Sequence, residues 1–292
     1  MTAGEQLRQA ISERRALLVP GAVNALTARV IEDLGFEAIY LTGAGLANTE
    51  LGVPDIGLVT LTELARAVEA IAATTTLPLI VDADTGFGNA INVTHTVRVL
   101  ERAGASAIQL EDQSFPKRCG HFAGKELIRP AEMVGKVKAA VDTRHSPDCL
   151  IIARTDARAV EGLEAAIARA QSYAEAGADA TFVEAPESGA ELVEIPRRLG
   201  VPQVANMVVG GKTPIATQGE LAAMGFGLVL YANAALQASV LAMQEVLGVL
   251  HRDGSLAAVS SRLASFSERQ RLVGKPEWDA LETRFASPAE RR

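Results

Sequence analysis

Cysteine is scarce in this 292-residue chain, which holds only Cys119 and Cys149. Two thiols cannot build a disulfide framework, so a buried core must carry stability, and a reducing compartment leaves both thiols free. Clustered basic charge is missing too. The formal net charge is −7 and the Lys and Arg residues are scattered, without the basic stripe that nucleic-acid binding requires, so no nucleic-acid partner is expected. No uncharged apolar run approaches the length of a membrane span, and the opening MTAGEQLRQAISERR lacks the apolar stretch of a signal peptide. The expectation is a soluble, cytoplasmic protein with no membrane partner. No Pro/Ser/Gly-rich linker, charge block or low-complexity stretch divides the chain, which predicts one domain over residues 1–292. Only four histidines occur, none at ligand spacing from His121, so zinc is a weak reading.

What the chain has is rhythm. Short β-rich apolar runs alternate with longer segments of helical period, the pattern of repeated βα units. Eight runs qualify: ALLVPG (16–21), AIYLTG (38–43), LPLIVDAD (77–84), AIQLED (107–112), LIIARTD (150–156), ATFVEA (180–185), PQVANMV (202–208) and GLVLYA (227–232). Helices are predicted between them, for example over 61–74, 92–104, 162–177 and 218–225. Glycines at helix ends, as in ERAGASAIQL and AEAGADATFV, fit C-terminal caps. No Gly-rich dinucleotide fingerprint follows the first strand, so the eight units predict an α/β fold of the (β/α)8 TIM-barrel type. A helical extension of about 233–292 exceeds one barrel repeat, and part of it is expected to pack against another subunit.

In such a barrel the active site lies at the C-terminal strand ends. Those ends carry Tyr40 and Thr42, Asp82 and Asp84, Glu111 and Asp112, Arg154 and Asp156, Glu184, and Asn206. Asp82 and Asp84 stand two apart on one strand, so period-2 alternation aims both carboxylates the same way. Their repulsion calls for a cation between them, and Mg²⁺ suits few carboxylates completed by water and substrate oxygens. The bland alternative is a helix cap or a pair with Arg154. Arg154 itself either neutralises the surrounding acids or binds a substrate carboxylate through its planar fork. Asn206 is read as either a helix cap or a substrate ligand.

The longest break in the rhythm is QSFPKRCGHFAGKELIRP, residues 113–130, after the fourth strand. Long loops in compact domains are usually functional, often as lids. Cys149 opens an apolar strand and reads as a buried small hydrophobe. Cys119, by contrast, has Lys117 and Arg118 before it and His121 two residues after it. Nearby positive charge favours the thiolate, so Cys119 is read as a nucleophile or as a proton donor that arrives when the flap closes. His121 fits a role orienting substrate or tuning Cys119.

YLTG at 40–43, VDADTGFG at 81–88, EDQ followed by PKRCGH at 111–121, ARTDA at 153–157 and FVEAP at 182–186 resemble the isocitrate lyase / phosphoenolpyruvate mutase superfamily over roughly residues 10–275. KRCGH resembles its C–C lyase branch. The resemblance implies an eighth helix swapped between subunits, in a homotetramer built as a dimer of dimers, and Mg²⁺ (with Mn²⁺ as a substitute). It implies metal-site roles for Asp82, Asp84, Asp55, Glu111 and, partly through water, Glu184. Substrate-binding roles fall on Thr42, Gly43, Ala44, Gly120, Arg154 and Asn206. The family's usual Ser-Gly-Gly reads Thr42-Gly43-Ala44 here. Cys119 would protonate the departing fragment, Lys117 and His121 would set its charge state, and Tyr40 or Glu184 would be the base.

Methylisocitrate lyases, which resemble this chain, follow CGH with Arg-Pro and place an arginine after the eighth strand. Phe122 and Gln237 occupy those places here, which argues against a tricarboxylate substrate, because an arginine missing from a carboxylate site leaves buried charge unpaired. HFAGK, FVEAP and NMVVGGKTP look more like the 2,3-dimethylmalate lyase, petal death protein and oxaloacetate hydrolase branch. The expectation is a lyase acting on a 2-alkylmalate-type 2-hydroxy dicarboxylate and releasing pyruvate, with oxaloacetate hydrolysis and then methylisocitrate cleavage as rivals. A phosphonate mutase, or a non-catalytic dicarboxylate-binding barrel, is the remaining alternative.

Overall fold

The computed structural model describes residues 1–118, 120 and 124–286. All eight expected runs are strands: β1 (Leu17–Ala22), β2 (Ile39–Leu41), β3 (Leu79–Asp82), β4 (Ala107–Glu111), β5 (Leu150–Thr155), β6 (Ala180–Val183), β7 (Val204–Asn206) and β8 (Leu228–Tyr231). They lie parallel in the order β6-β5-β4-β3-β2-β1-β8-β7. Thr181 of β6 meets Gln203, just before β7, in a parallel bridge that brings the two ends of the sheet together. The Thr181 amide donates to the Pro202 carbonyl at 3.1 Å, and Gln203 Nε2 donates to Thr181 Oγ1 at 2.7 Å. The result is the eight-stranded parallel barrel that the βα rhythm predicts.

Strands covered on both faces must be apolar on both, and each face here packs separately. Leu17, Val19, Tyr40, Ile80, Leu150, Ile152, Phe182, Val204 and Leu230 point inward and form one cluster. Leu7 and Ile11 join it from the N-terminal helix Ala3–Ser12, which therefore seals one end of the barrel. The outward residues Ile39, Leu41, Val81, Ile108, Leu110 and Ile151 pack against Leu64, Val68, Val97, Leu100, Met133 and Val137 of the surrounding helices. The interior period continues past these apolar layers to Asp82, Gln109, Glu111, Arg154, Glu184 and Asn206. These inward polar side chains thereby gather at the C-terminal mouth.

Local signals place the helices. Thr60 and Glu63 form a reciprocal cap at the start of Leu61–Ala72. Gly104 ends Ala90–Ala103 at φ +115°, where a Cβ would also come within 2.6 Å of the Ala72 Cβ. The segment after β4 leaves and returns as a pinned excursion: Gln113 bridges Leu127 antiparallel, Ser114 N–H donates to Glu126 O at 2.8 Å, and Ile128 N–H donates to Asp112 O at 2.9 Å.

The chain forms two compact units, Met1–Leu236 and Gln237–Arg292. The second holds most of the helix Ala234–Asp253 and the helices Phe266–Leu272 and Lys275–Phe285. Ala234–Asp253 is, by length and composition alone, long and apolar enough to cross a membrane, although Gln237, Gln244 and Glu245 interrupt it. Val240, Leu241, Met243, Leu247 and Leu250 on this helix are exposed in the single chain.

Candidate active site

One pocket at the strand C-termini is lined by Tyr40, Thr42, Ala44, Asp55, Asp82, Glu111, Lys117, Gly120, Arg154, Glu184 and Asn206, together with Arg118, Phe182, Val208, Leu230, Ala232 and Asn233. Eleven of the expected site residues thus meet in one place. Gly43 borders it, since its amide donates to Asp82 Oδ2 at 3.5 Å and an added Cβ would lie 3.1 Å from Asp84 Oδ1. Cys119, His121 and Phe122 lie outside the described residues. Gln237 belongs to the second unit and is exposed.

Asp82 ends β3 with Oδ1 accepting from the Asp84 amide at 3.2 Å and from Gln109 Nε2 at 3.3 Å. Asp84 takes a left-handed backbone, φ +49°, which an ordinary residue adopts only when its surroundings impose it. Lys117 reaches down from the flap, its ammonium 2.5 Å from Asp55 Oδ1 and 2.7 Å from Asp84 Oδ1. Burial pushes the Asp84 carboxyl up to about 7, with Lys117 opposing and Asp82 and Asp55 adding to the rise. Burial also works against the Lys117 charge, but Asp84, Glu111, Asp82 and Asp55 outweigh it and hold the ammonium protonated.

Arg154 pairs with neither Asp82 nor Asp84. Its Nε and Nη2 donate to Asp156 Oδ2 and Oδ1 at 2.9 and 3.1 Å, Glu111 Oε2 lies 3.5 Å from Nε, and the guanidinium sits 5.3 Å from the Phe182 ring centre. Asp156 is fully buried; desolvation opposes its charge, yet Arg154 and Lys125 hold it below the usual carboxylate range. Burial drives Glu111 well above its ordinary value, despite Arg154.

The Tyr40 hydroxyl accepts from Gln109 Nε2 at 2.9 Å, and burial, reinforced by Asp82, raises its pKa well above 10. A phenol held protonated donates at neutral pH rather than acting as a base. Thr42 Oγ1 accepts from the Gly45 amide at 3.3 Å and donates to Asn233 Oδ1 at 3.3 Å, so it caps the short turn Gly43–Leu46 while facing the pocket. Asn206 Nδ2 points to Glu184 Oε1 at 3.5 Å.

Gln109 Oε1, Glu111 Oε1 and Asn206 Oδ1 are buried here with no hydrogen-bond donor among the described residues. Acceptors left in that state fit a hard, oxygen-seeking cation or a polar ligand. Also among the described residues, no three carboxylate, imidazole or thiol groups converge tightly enough to enclose a metal ion. Mg²⁺ makes no such demand, because it keeps water and substrate oxygens in its shell and takes one or two carboxylates, such as Asp82 and Asp84.

Three participants have no assigned role in the sequence reading: Gln109, Asn233 and Lys125. Gln109 could have been found, since it stands two residues before Glu111 on the same strand face. Lys125 is an unremarked cation in a long loop until the fold buries its ammonium between Asp156 and the flap backbone.

A parallel barrel with an acidic mouth, Arg154 buried within it and a long flap after β4 is the architecture of a barrel enzyme, and the charged mouth suits a small anion. The family model for phosphoenolpyruvate phosphomutase matches residues 7–250. The chain is 44% identical to the 2,3-dimethylmalate lyase of Eubacterium barkeri, over 98% of this chain and 99% of that protein. It is 45% identical to a 2-methylisocitrate lyase of Aeropyrum pernix, over 98% of this chain and 92% of that one. A crystal structure of 2,3-dimethylmalate lyase superposes with a TM-score of 0.92 at 35% identity, covering 99% of this chain and 97% of that chain. A phosphonopyruvate hydrolase in complex with oxalate and Mg²⁺ superposes with a TM-score of 0.88 at 36% identity, covering 98% and 99%. The chain belongs to the phosphoenolpyruvate mutase / isocitrate lyase superfamily and is a carbon–carbon lyase within it.

Proposed function

We propose that this protein is a Mg²⁺-dependent lyase that cleaves the C2–C3 bond of a 2-alkylmalate-type 2-hydroxy dicarboxylate, such as 2,3-dimethylmalate, to pyruvate and a short carboxylate. One observation carries the reading. A single pocket holds the acids Asp82, Glu111 and Glu184, the cation Arg154 and the flap residues Lys117 and Gly120, against an apolar wall of Phe182, Val208, Leu230 and Ala232. Charged groups suit the two carboxylates of the substrate, and the wall suits its alkyl groups.

Asp82 and Asp84, with Asp55 and Glu111 around them, would hold Mg²⁺ or Mn²⁺, which when bound supplies Lewis-acid stabilisation of developing oxygen charge. Arg154, oriented by Asp156, binds the pyruvate-end carboxylate, and Thr42 with the amides of Gly43 and Ala44 cradles it. Glu184 takes the proton from the 2-hydroxyl. Its rival Tyr40, held protonated, is placed to donate. As the C2–C3 bond breaks, C2 becomes the ketone carbon of pyruvate and the electron pair stays on C3, beside the second carboxylate. Cys119 then delivers a proton to C3. Its chain neighbours Arg118 and Gly120 both line the pocket, and Lys117 and His121 set the charge around it. Asn206 holds Glu184 and the substrate. The protein is read as a soluble cytoplasmic homotetramer, a dimer of dimers, in which the apolar face of Ala234–Asp253 is covered by a second copy.

Pyruvate or oxalate release is to be measured with 2-methylmalate, 2,3-dimethylmalate, 2-methylisocitrate, isocitrate and oxaloacetate, with Mg²⁺ and after EDTA. Metal-dependent pyruvate release from an alkylmalate is the expected result. A preference for 2-methylisocitrate overturns the argument from Phe122 and Gln237, oxalate from oxaloacetate moves the assignment to a hydrolase, and no turnover revives a binding protein.

A further inference from the structure

Lys125 lies five residues beyond Gly120, on the returning arm of the flap, and its side chain is 2% exposed. A lysine that deep needs charge and hydrogen-bond partners, because desolvation alone would neutralise it or exclude it. Its ammonium has two: Asp156 Oδ1 at 2.8 Å and the Gly120 carbonyl at 2.5 Å. Asp156 Oδ1 is also the oxygen that accepts from Arg154 Nη2, at 3.1 Å. The Gly120 backbone is seated so closely on the pocket floor that a Cβ there would stand 2.4 Å from Arg154 Nη2 and 2.7 Å from Glu184 Oε1. One ammonium therefore joins the crown of the flap to the carboxylate that orients the pocket arginine.

Asp156 is itself braced. Its amide donates to Asp112 Oδ1 at 3.0 Å, and Asp112 Oδ2 accepts from Thr155 Oγ1 at 2.7 Å and Tyr173 Oη at 2.8 Å. Arg169 ties the same carboxylate, at 3.3 Å, to the Ile128 carbonyl at the root of the flap, at 3.0 Å. Earlier on the flap, Gln113 grips both backbone groups of Arg118: Nε2 donates to its carbonyl at 2.8 Å, and Oε1 accepts from its amide at 2.9 Å. The Gln113 clasp holds residue 118 and the Lys125 ammonium holds residue 120, on either side of Cys119.

We propose that Lys125 is a positioning residue, the latch that holds the Gly120 backbone on the site and couples its seat to the orientation of Arg154 through Asp156. It does not meet the reacting atoms. The latch stands on this geometry, and its consequence for turnover rests on the lyase reading above. Without the Lys125 ammonium the Gly120 carbonyl loses this donor and Asp156 loses one of its two cations, so the seat of Gly120 and the alignment of Arg154 are won or lost together.

Amide hydrogen exchange of the full-length protein separates this from a general packing role and needs no substrate. In Lys125→Met, peptides covering 113–128 should exchange between about tenfold and a hundredfold faster, the loss expected for one charge-assisted hydrogen bond, while β4 and β5 peptides and the melting temperature hold. Lys125→Arg, which keeps the charge, should recover most of the protection, and Asp156→Asn should mimic Lys125→Met without adding to it in the double variant. Where a substrate is turned over, kcat should fall in Lys125→Met by a similar factor with KM changing less. Unchanged exchange at 113–128, or faster exchange spread equally through β4 and β5, overturns the latch. If Lys125→Met does not fold, Lys125→Gln, which removes the positive charge facing Asp156 while keeping a polar side chain, carries the same comparison. Failure of every substrate in the panel leaves the exchange result standing, and turnover with unchanged exchange refutes only the latch.

Discussion

Gly120→Ala is the smallest change that tests whether the flap must seat as closely as the structure shows. The added Cβ would meet Arg154 Nη2 at 2.4 Å, Glu184 Oε1 at 2.7 Å and Glu184 Cγ at 2.9 Å, whereas ordinary contacts begin at 3.4 Å. The flap crown must therefore retreat by about 1 Å or push Arg154 and Glu184 aside by as much, and a misplacement of that size can cost roughly a hundredfold in rate. An alanine loses less chain entropy on folding than glycine, worth about 0.5 kcal/mol, which offsets part of what a displaced crown costs the fold. Steady-state kinetics on whichever alkylmalate is cleaved, beside a thermal melt, should show kcat/KM down by about two orders of magnitude with an intact transition. Wild-type kinetics would refute the reasoning, since it would mean that turnover does not use the seated flap. A collapse of the melt would refute it differently, by making Gly120 a folding residue.

Cys119→Ser should abolish most turnover in a lyase that needs this thiol as proton donor, while a phosphonate mutase would keep its activity, and assays of both reactions decide between them. In Cys119→Ser at pH 8, Ellman's reagent should find no fast thiol. Cys149 is buried, and burial pushes its pKa up to about 12, leaving only about one part in ten thousand as thiolate; rapid labelling would show that β5 opens. Tyr40→Phe should lower kcat by about a hundredfold to a thousandfold, as loss of one donor does. It should leave the pH–rate profile in place, because the phenol titrates far above neutrality, and a lost or shifted limb would reinstate Tyr40 as the base. Asp112→Ala strands Tyr173, Thr155 and Arg169 in the interior and should cost about 3–5 kcal/mol in urea denaturation; a loss under 1 kcal/mol would show that this hub is dispensable.

The barrel was legible because a parallel strand buried on both faces must be apolar throughout, and the runs LLVPGA, LIIART and ATFV leave no other reading at their length. Cap chemistry was legible for the same local reason at Gly104. The acids and Arg154 could be placed at one mouth because each follows an apolar strand in period, which fixes its height and its inward face before any packing is known. The pairing of those charges was not legible. Sequence leaves Arg154 equally able to meet Asp82, Asp84 or Asp156. The choice falls to Asp156 because β5 turns straight into it, and because Lys117, delivered by a flap sixty-odd positions along the chain from Asp55, already occupies the space between Asp55 and Asp84.

The chemical roles divide along the same line. Residue type and order alone determined that this chain is a metabolic barrel with a cation-flanked thiol on a long loop, because composition, strand period and motif spacing are local properties of the chain. Only the tertiary structure decided that Tyr40 is held protonated, that Asp84 is pushed up to about 7 and that Lys125 sits buried under the flap. Protonation and latching depend on burial and on charges brought from distant segments, and those exist only once β3, β4, β5 and the flap have closed around one another.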